Sequence, residues 1–285
     1  MSFLKMVSDR IGGIVSIQKI SRDMQRYSSV KKVSYELNKF SSVAANPDWV
    51  FAAYRDGDYE RALLMCEGLP HHSQDYFYLK GIVLNKMGKL EESERLLRAG
   101  IEAVCEDEKR LILIYDTLGW ALVEQRRFED AVLLFEESIR FGEERSAGHR
   151  AIAWVLLLSG VDPAKALSKA QVAARIAFSD SVANQDPAKM DLCDAVSTLA
   201  WAAAVNSKDE WEVGKLERET SALCDPRNMP ALALMHYNMG RAFSELGNVQ
   251  KGTSHLEKSL AADPDGDWGR RAKAQLAKIL EEAKV

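Results

Sequence analysis

Apolar residues along this chain recur three and four places apart, and period-two alternation is absent, so the elements the pattern predicts are helices, not strands. The clearest stretch is Tyr115-x2-Leu118-Gly119-x2-Leu122, followed by Ala131-x3-Phe135. It returns as His236-x2-Met239-Gly240-x2-Phe243 with Gly247, Gly252-x3-Leu256, Ser259 and Pro264 behind it. Upstream it returns as Phe77-x2-Lys80-Gly81-x2-Leu84 with Gly88, Ser93-x3-Leu97 and Gly100. Two looser copies lie between: His149-x2-Ile152-Ala153-x2-Leu156 with Ala166-x3-Ala170, and Val196-x2-Leu199-Ala200-x2-Ala203. Residues 46–70 add a sixth unit, in which Gly57, Tyr59, Ala62 and Cys66 match the end of one helix and the start of the next.

Together these motifs resemble the tetratricopeptide repeat, whose W-x2-L-G-x2-Y…A-x3-F signature is met here with Tyr115 in the Trp place and Leu122 in the Tyr place. The resemblance implies an all-α fold, a right-handed superhelix (α-solenoid) of about five to six helix pairs. Residues 45–266 would form the array, residues 1–44 an arm before it, and residues 267–285 a capping helix after it. At the small place, held by Gly81, Gly119, Ala153, Ala200 and Gly240, the two helices of a pair are expected to approach until only a hydrogen or a methyl fits. These places are 38, 34, 47 and 40 residues apart, so the longer intervals demand extended helices or loops, most clearly around 179–190. Five prolines follow Asn or Asp, at Asn46-Pro47, Asp162-Pro163, Asp186-Pro187, Asp225-Pro226 and Asp263-Pro264, and each pair reads as a helix start.

The resemblance also implies a role as a non-catalytic scaffold or adaptor that holds a peptide or amphipathic helix of a protein partner. In this family the first helix of each pair lines the inner curve. One place after the small residue stand Ile82, Trp120, Trp154, Trp201 and Arg241, and one turn earlier stand Tyr78, Asp116, Arg150, Ser197 and Tyr237. Of these, Tyr78, Ile82, Asp116, Trp120, Arg150, Trp154, Trp201, Tyr237 and Arg241 are the candidate peptide-binding residues. Two readings of the three tryptophans stand side by side: an aromatic strip that accepts a partner, or rings that fill space between adjacent first helices. A clamp for acidic chaperone tails is argued against, because Tyr78, Ile82, Asp116 and Trp120 stand where that clamp needs Lys, Asn and Arg.

The termini carry their own patterns. Phe3, Leu4, Val7, Ile11, Ile14 and Val15 recur at helical spacing beside Lys5, Arg10 and Lys19, although Gly12-Gly13 weakens that helix. Three covers suit this arm: the groove of the same or another copy, an anionic membrane surface, or the first repeat itself. Trp268, Ala272, Leu276, Ile279 and Leu280 mark a second amphipathic helix, with Arg270, Arg271, Lys273 and Lys278 expected outside.

Charge sharpens the second functional class. Residues 1–39 carry a net +5 within a chain of −4, leaving −9 for the rest, so the arm of one copy could engage the array of the next as a self-assembling homo-oligomer. Nucleic acid is not an expected partner at a sequence pI near 5.8. The four cysteines, Cys66, Cys105, Cys193 and Cys224, are far apart and read as reduced core thiols of a cytoplasmic protein, with no cleavable leader or membrane span expected. No catalytic residues, cofactor or metal are expected: His71-His72 lacks further ligands at metal spacing, Gly12-Gly13 lacks a phosphate-loop Lys, and His149 and His236 stand at packing places.

Overall fold

The computed structural model describes residues 46–103, 108–142, 145–183 and 189–282. The arm residues Phe3, Leu4, Val7, Ile11, Ile14 and Val15, together with Cys105 and Asp186-Pro187, lie outside the described residues. Among those described there are thirteen helices and no strand, which makes the fold an all-α solenoid of helix pairs. They fall into two compact units, one ending at Lys89 and the other beginning at Leu90.

The first unit contains α1 (Pro47–Arg55), α2 (Tyr59–Cys66) and α3 (Gln74–Lys86). Asn46 begins α1 as expected, its side-chain oxygen accepting the backbone N–H of Asp48 at 2.9 Å. Gly57 turns the chain into α2, where Ala62 and Cys66 are buried; burial pushes the Cys66 thiol up to about 12, which fits a reduced core residue. Tyr78 and Ile82 sit half-buried on α3.

The second unit contains α4 (Leu90–Glu102), α5 (Glu108–Glu124), α6 (Phe128–Arg140), α7 (Ser146–Ser159) and α8 (Pro163–Ala183). It continues through α9 (Lys189–Ser207), α10 (Glu210–Leu223), α11 (Met229–Glu245), α12 (Val249–Ala262) and α13 (Asp267–Glu282). Helix α5 pairs with α6, α7 with α8, α9 with α10 and α11 with α12; α13 then rests on α12 and α11. The long interval between small places is taken up by the 21 residues of α8 and the connection after it.

Steric need explains the small places. A methyl added at Gly119 would stand 2.7 Å from the Phe135 ring, and one at Gly240 would stand 2.7 Å from Leu256 and 3.1 Å from the Gly252 carbonyl oxygen. The Gly of the first helix is therefore shaped around the Phe or Leu of the second, and Ala153 and Ala200 are completely buried at the same place.

Of the proline pairs, Asp162-Pro163 starts α8, with the Lys165 N–H donating to the Asp162 carboxylate at 2.9 Å. Two others do not mark the helix start. Asp225-Pro226 forms a turn whose Asp accepts from the Arg227 N–H, and α11 is capped instead by Asn228, with Pro230 in its first turn. Asp263-Pro264 precedes α13 by three residues, although the Asp263 carboxylate still accepts from the Trp268 N–H at 3.0 Å.

The turn after a first helix needs one left-handed residue. Glycine supplies it at Gly57, Gly88, Gly160 and Gly247, but Arg126 and Lys208 take φ of +62° and +55°. A side chain there strains the backbone by about 1–2 kcal/mol, of which glycine's extra unfolded-state entropy recovers part. Arg126→Gly is therefore expected to raise stability by roughly 0.5–1 kcal/mol, read as a higher urea midpoint.

Candidate functional site

The first helices of the second unit bring four of the candidate aromatic residues into one cluster. Trp120 on α5 lies 5.6 Å from Trp154 on α7, Trp154 lies 6.2 Å from Trp201 on α9, and Trp201 lies 6.3 Å from Tyr237 on α11. The pairs are mostly edge-to-face, the geometry that sets the positive rim of one ring against the negative face of the next. The tryptophans meet because one repeat place falls on the same side of each first helix, and Tyr237 joins them from one turn before that place on α11, so residues 34 to 47 apart in sequence become neighbours.

Burial splits the cluster. Trp201 is completely buried, Trp154 and Tyr237 are 3% exposed, and Trp120 is half-buried. The central rings thus act as packing between first helices as they stand; Trp120 is half-buried, and the Arg241 side chain is 16% exposed and pairs with Glu245 at 3.7 Å. Arg241 lies over the Trp201 ring at 4.4 Å and donates to the Tyr237 hydroxyl at 3.3 Å.

The charged candidates are engaged within the chain. Asp116 accepts from Ser138 at 2.6 Å and from Arg145 at 2.8 Å, while Arg150 pairs with Asp194 at 3.3 Å. Asp194 is buried, and burial raises its pKa to about 6 against the opposing pull of Arg150.

Beneath the rings lies a polar floor that repeat reading did not find. The Trp154 indole N–H donates to Asn238 Oδ1 at 3.2 Å, and the Asn238 amide donates to Ser197 at 3.0 Å and to Thr198 at 3.3 Å. Asn238 is completely buried, so this network ties α7, α9 and α11 together at one depth. Its one sequence signal is an Asn in the middle of an apolar helix, between Tyr237 and Met239.

Helix α13 completes the cluster, contrary to the expectation that Arg271 faces outward. Trp268 lies 5.7 Å from Trp154 and 5.9 Å from Tyr237. The Arg271 guanidinium sits 5.0 Å over Trp154 and pairs with Glu124 at the end of α5. The helix repeats hydrophobically on one side, but the cation–π contact draws this arginine inward.

Two further groupings were hidden in the sequence. Cys193 on α9 and Cys224 after α10 are joined by a disulfide, with Cα atoms 5.7 Å apart. This corrects the reading of both as reduced thiols and removes the cysteine argument for a cytoplasmic setting; a separation of 31 residues concealed the pair. His236 also does more than fill a packing place: its Nδ1 meets His255 Nδ1 at 3.0 Å, and His255 Nε2 meets Glu217 at 2.9 Å. Burial, then the nearby charges of His255 and Lys258, brings His236 down to about 4. Burial opposes ionisation of Glu217 as well, yet hydrogen bonds from Lys251 and His255 hold it below the usual carboxylate range.

A neutral buried His236 binds its proton less readily than the unfolded chain does, so its contribution is complete above pH ~6.5 and is lost as pH falls toward 4. Asp194 acts in the opposite sense, its contribution being lost as pH rises from the ordinary Asp range through about 6. The difference between two chains isolates the histidine: in His236→Gln the urea midpoint is expected to fall less between pH 6.5 and 4 than in the unaltered protein.

No grouping of three or more metal-ligating residues occurs among the described residues, and none of the described helices is long and apolar enough to cross a membrane. Family models for the tetratricopeptide repeat match residues 111–145 and 233–265, the α5/α6 and α11/α12 pairs. None of the curated proteins matches the chain. Among solved structures, BtubC from P. vanneervenii is similar at 12% identity and a TM-score of 0.51, covering 88% of this chain and 93% of its own. PilF of Pseudomonas aeruginosa is 14% identical over 80% of this chain and 95% of its own, with a TM-score of 0.48. YrrB, a TPR protein with an unusual peptide-binding site, is 19% identical over 71% of this chain and 93% of its own, with a TM-score of 0.41. With two pairs matched by family models and the glycine-against-Phe and glycine-against-Leu contacts in place within those same pairs, the chain carries tetratricopeptide repeats, which support a scaffold for protein–protein interaction.

Proposed function

We propose that this protein is a non-catalytic adaptor whose first helices hold a peptide or amphipathic helix of a protein partner, with Trp120 and Arg241 as the points of first contact. The observation that carries this reading is the continuous aromatic cluster from Trp120 through Trp154 and Trp201 to Tyr237, with the partly buried Arg241 stacked at its end. Large rigid rings add contact area at little entropic loss, and a half-buried arginine stacked on one of them orients a partner's carboxylates.

The test uses substitutions that leave the buried rings alone. Partner recovery from a native extract is compared between the unaltered chain, Trp120→Ala with Arg241→Glu, and the outer-surface control Leu133→Ala, whose side chain is 60% exposed. Loss of the same partner with the first variant alone supports the reading; equal recovery from all three sinks it.

A further inference from the structure

Closing the apolar edge of the last pair requires α13 to touch α11 and α12 only. It reaches further. Trp268 and Arg271, one turn apart on the same side of the helix, contact α7, and Arg271 extends to Glu124 on α5, so α13 spans first helices of three earlier pairs. These two side chains meet the aromatic face in the way a bound helix would: an indole set edge-on to Trp154, and a guanidinium flat enough to stack on a ring while a carboxylate takes its far end.

Outside that contact α13 lies on α12 and α11, with Leu276 packed beside its buried residues. Its buried residues are Gly269, Ala272 and Ile279, and Leu280 near its end is 61% exposed. The Glu124 side chain is half-exposed, so the ion pair adds direction more than strength. Its contact with the Trp154 face, by contrast, rests on two side chains, so a helix that offers the same two groups can compete for that face.

We propose that α13 is a self-supplied ligand of the Trp154–Tyr237 face, and that it yields this face to a partner helix carrying an aromatic residue and an arginine three places apart. This rests on the partner-binding reading above and gives it a chemistry: the partner's arginine replaces Arg271 between Trp154 and Glu124, and its ring replaces Trp268. Because α13 is tethered, it sets a threshold. Partner affinity is reduced by the fraction of molecules in which α13 stands aside, so weak or mismatched helices are refused.

The probe is a fluorescent synthetic peptide with the sequence of residues 263–282, and the host is the full chain, unaltered or carrying Trp268→Ala with Arg271→Glu. By fluorescence anisotropy the substituted host is expected to bind the peptide at least ten-fold more tightly than the unaltered one, and a peptide bearing the same two substitutions is expected to lose that gain. Equal affinity of both hosts, with the substituted host folded by circular dichroism, overturns the proposal. Hydrogen exchange on the unaltered chain covers the case in which the substituted host unfolds. Saturating peptide is then expected to speed exchange in α13 while leaving α11 and α12 unchanged, and unaltered α13 exchange is equally fatal. The two readings fail separately. Peptide results depend on this chain alone, so their failure, with partner recovery still sensitive to Trp120 and Arg241, removes only the self-ligand. Success with insensitive partner recovery removes only the partner reading.

Discussion

Trp201→Ala is expected to destabilise the second unit by about 3–5 kcal/mol, the range for removing a fully buried Trp side chain from a packed interior. The size follows from where the ring sits. It has no exposed surface, meets Trp154 and Tyr237 edge-on, and supports the Arg241 guanidinium at 4.4 Å. The surrounding helices are held at their spacing by the buried Asn238 network, so they can collapse only partly into the space left behind. Trp211→Ala is the matched control, its side chain being 71% exposed on the first turn of α10; a shift within roughly 0.5 kcal/mol is expected there. Urea midpoints of the two variants compare packing with surface directly. A mild effect at Trp201, similar to that at Trp211, would contradict the packing described for this ring.

Loss of the Cys193–Cys224 disulfide is expected to be nearly as damaging. The bond closes a loop with a sequence separation of 31, for which restriction of the unfolded chain stabilises the folded state by about 3–4 kcal/mol. It also fastens the start of α9 to the end of α10 beside the buried Met235 and Met239, so the pair that carries Trp201 is held at its open end. Peptide mapping after alkylation without reductant should recover residues 193 and 224 on one linked species. Reduction, or Cys193→Ala, should then lower the urea midpoint by an amount consistent with that range. Recovery of both residues as alkylated thiols from the native protein would contradict the linkage.

The repeat architecture could be read from single residues because close helix contact leaves a size signature: Gly119 against Phe135 and Gly240 against Leu256 show in sequence as a small place and a large one. The tryptophan strip was legible as a location, since one repeat place faces one way throughout. Its burial was not, because an indole serves equally as packing and as a docking surface. Contacts between distant pairs left even less trace. Nothing near Arg271 announces Glu124, 147 residues earlier, and the Asn238 link to Trp154 joins helices whose pairing is known only once the array is stacked. Asp225-Pro226 misled for a local reason: Asx side chains close turns by the same hydrogen bonds with which they cap helices, and here Asn228 took the second task.

An array in which each module meets only its neighbours behaves as a one-dimensional series, with stabilities that add and ends that fray independently. Contacts from α13 back to α5 and α7 convert the second unit into a closed circuit. Closing it joins residues far apart along the chain, so this step belongs late in folding and slows it.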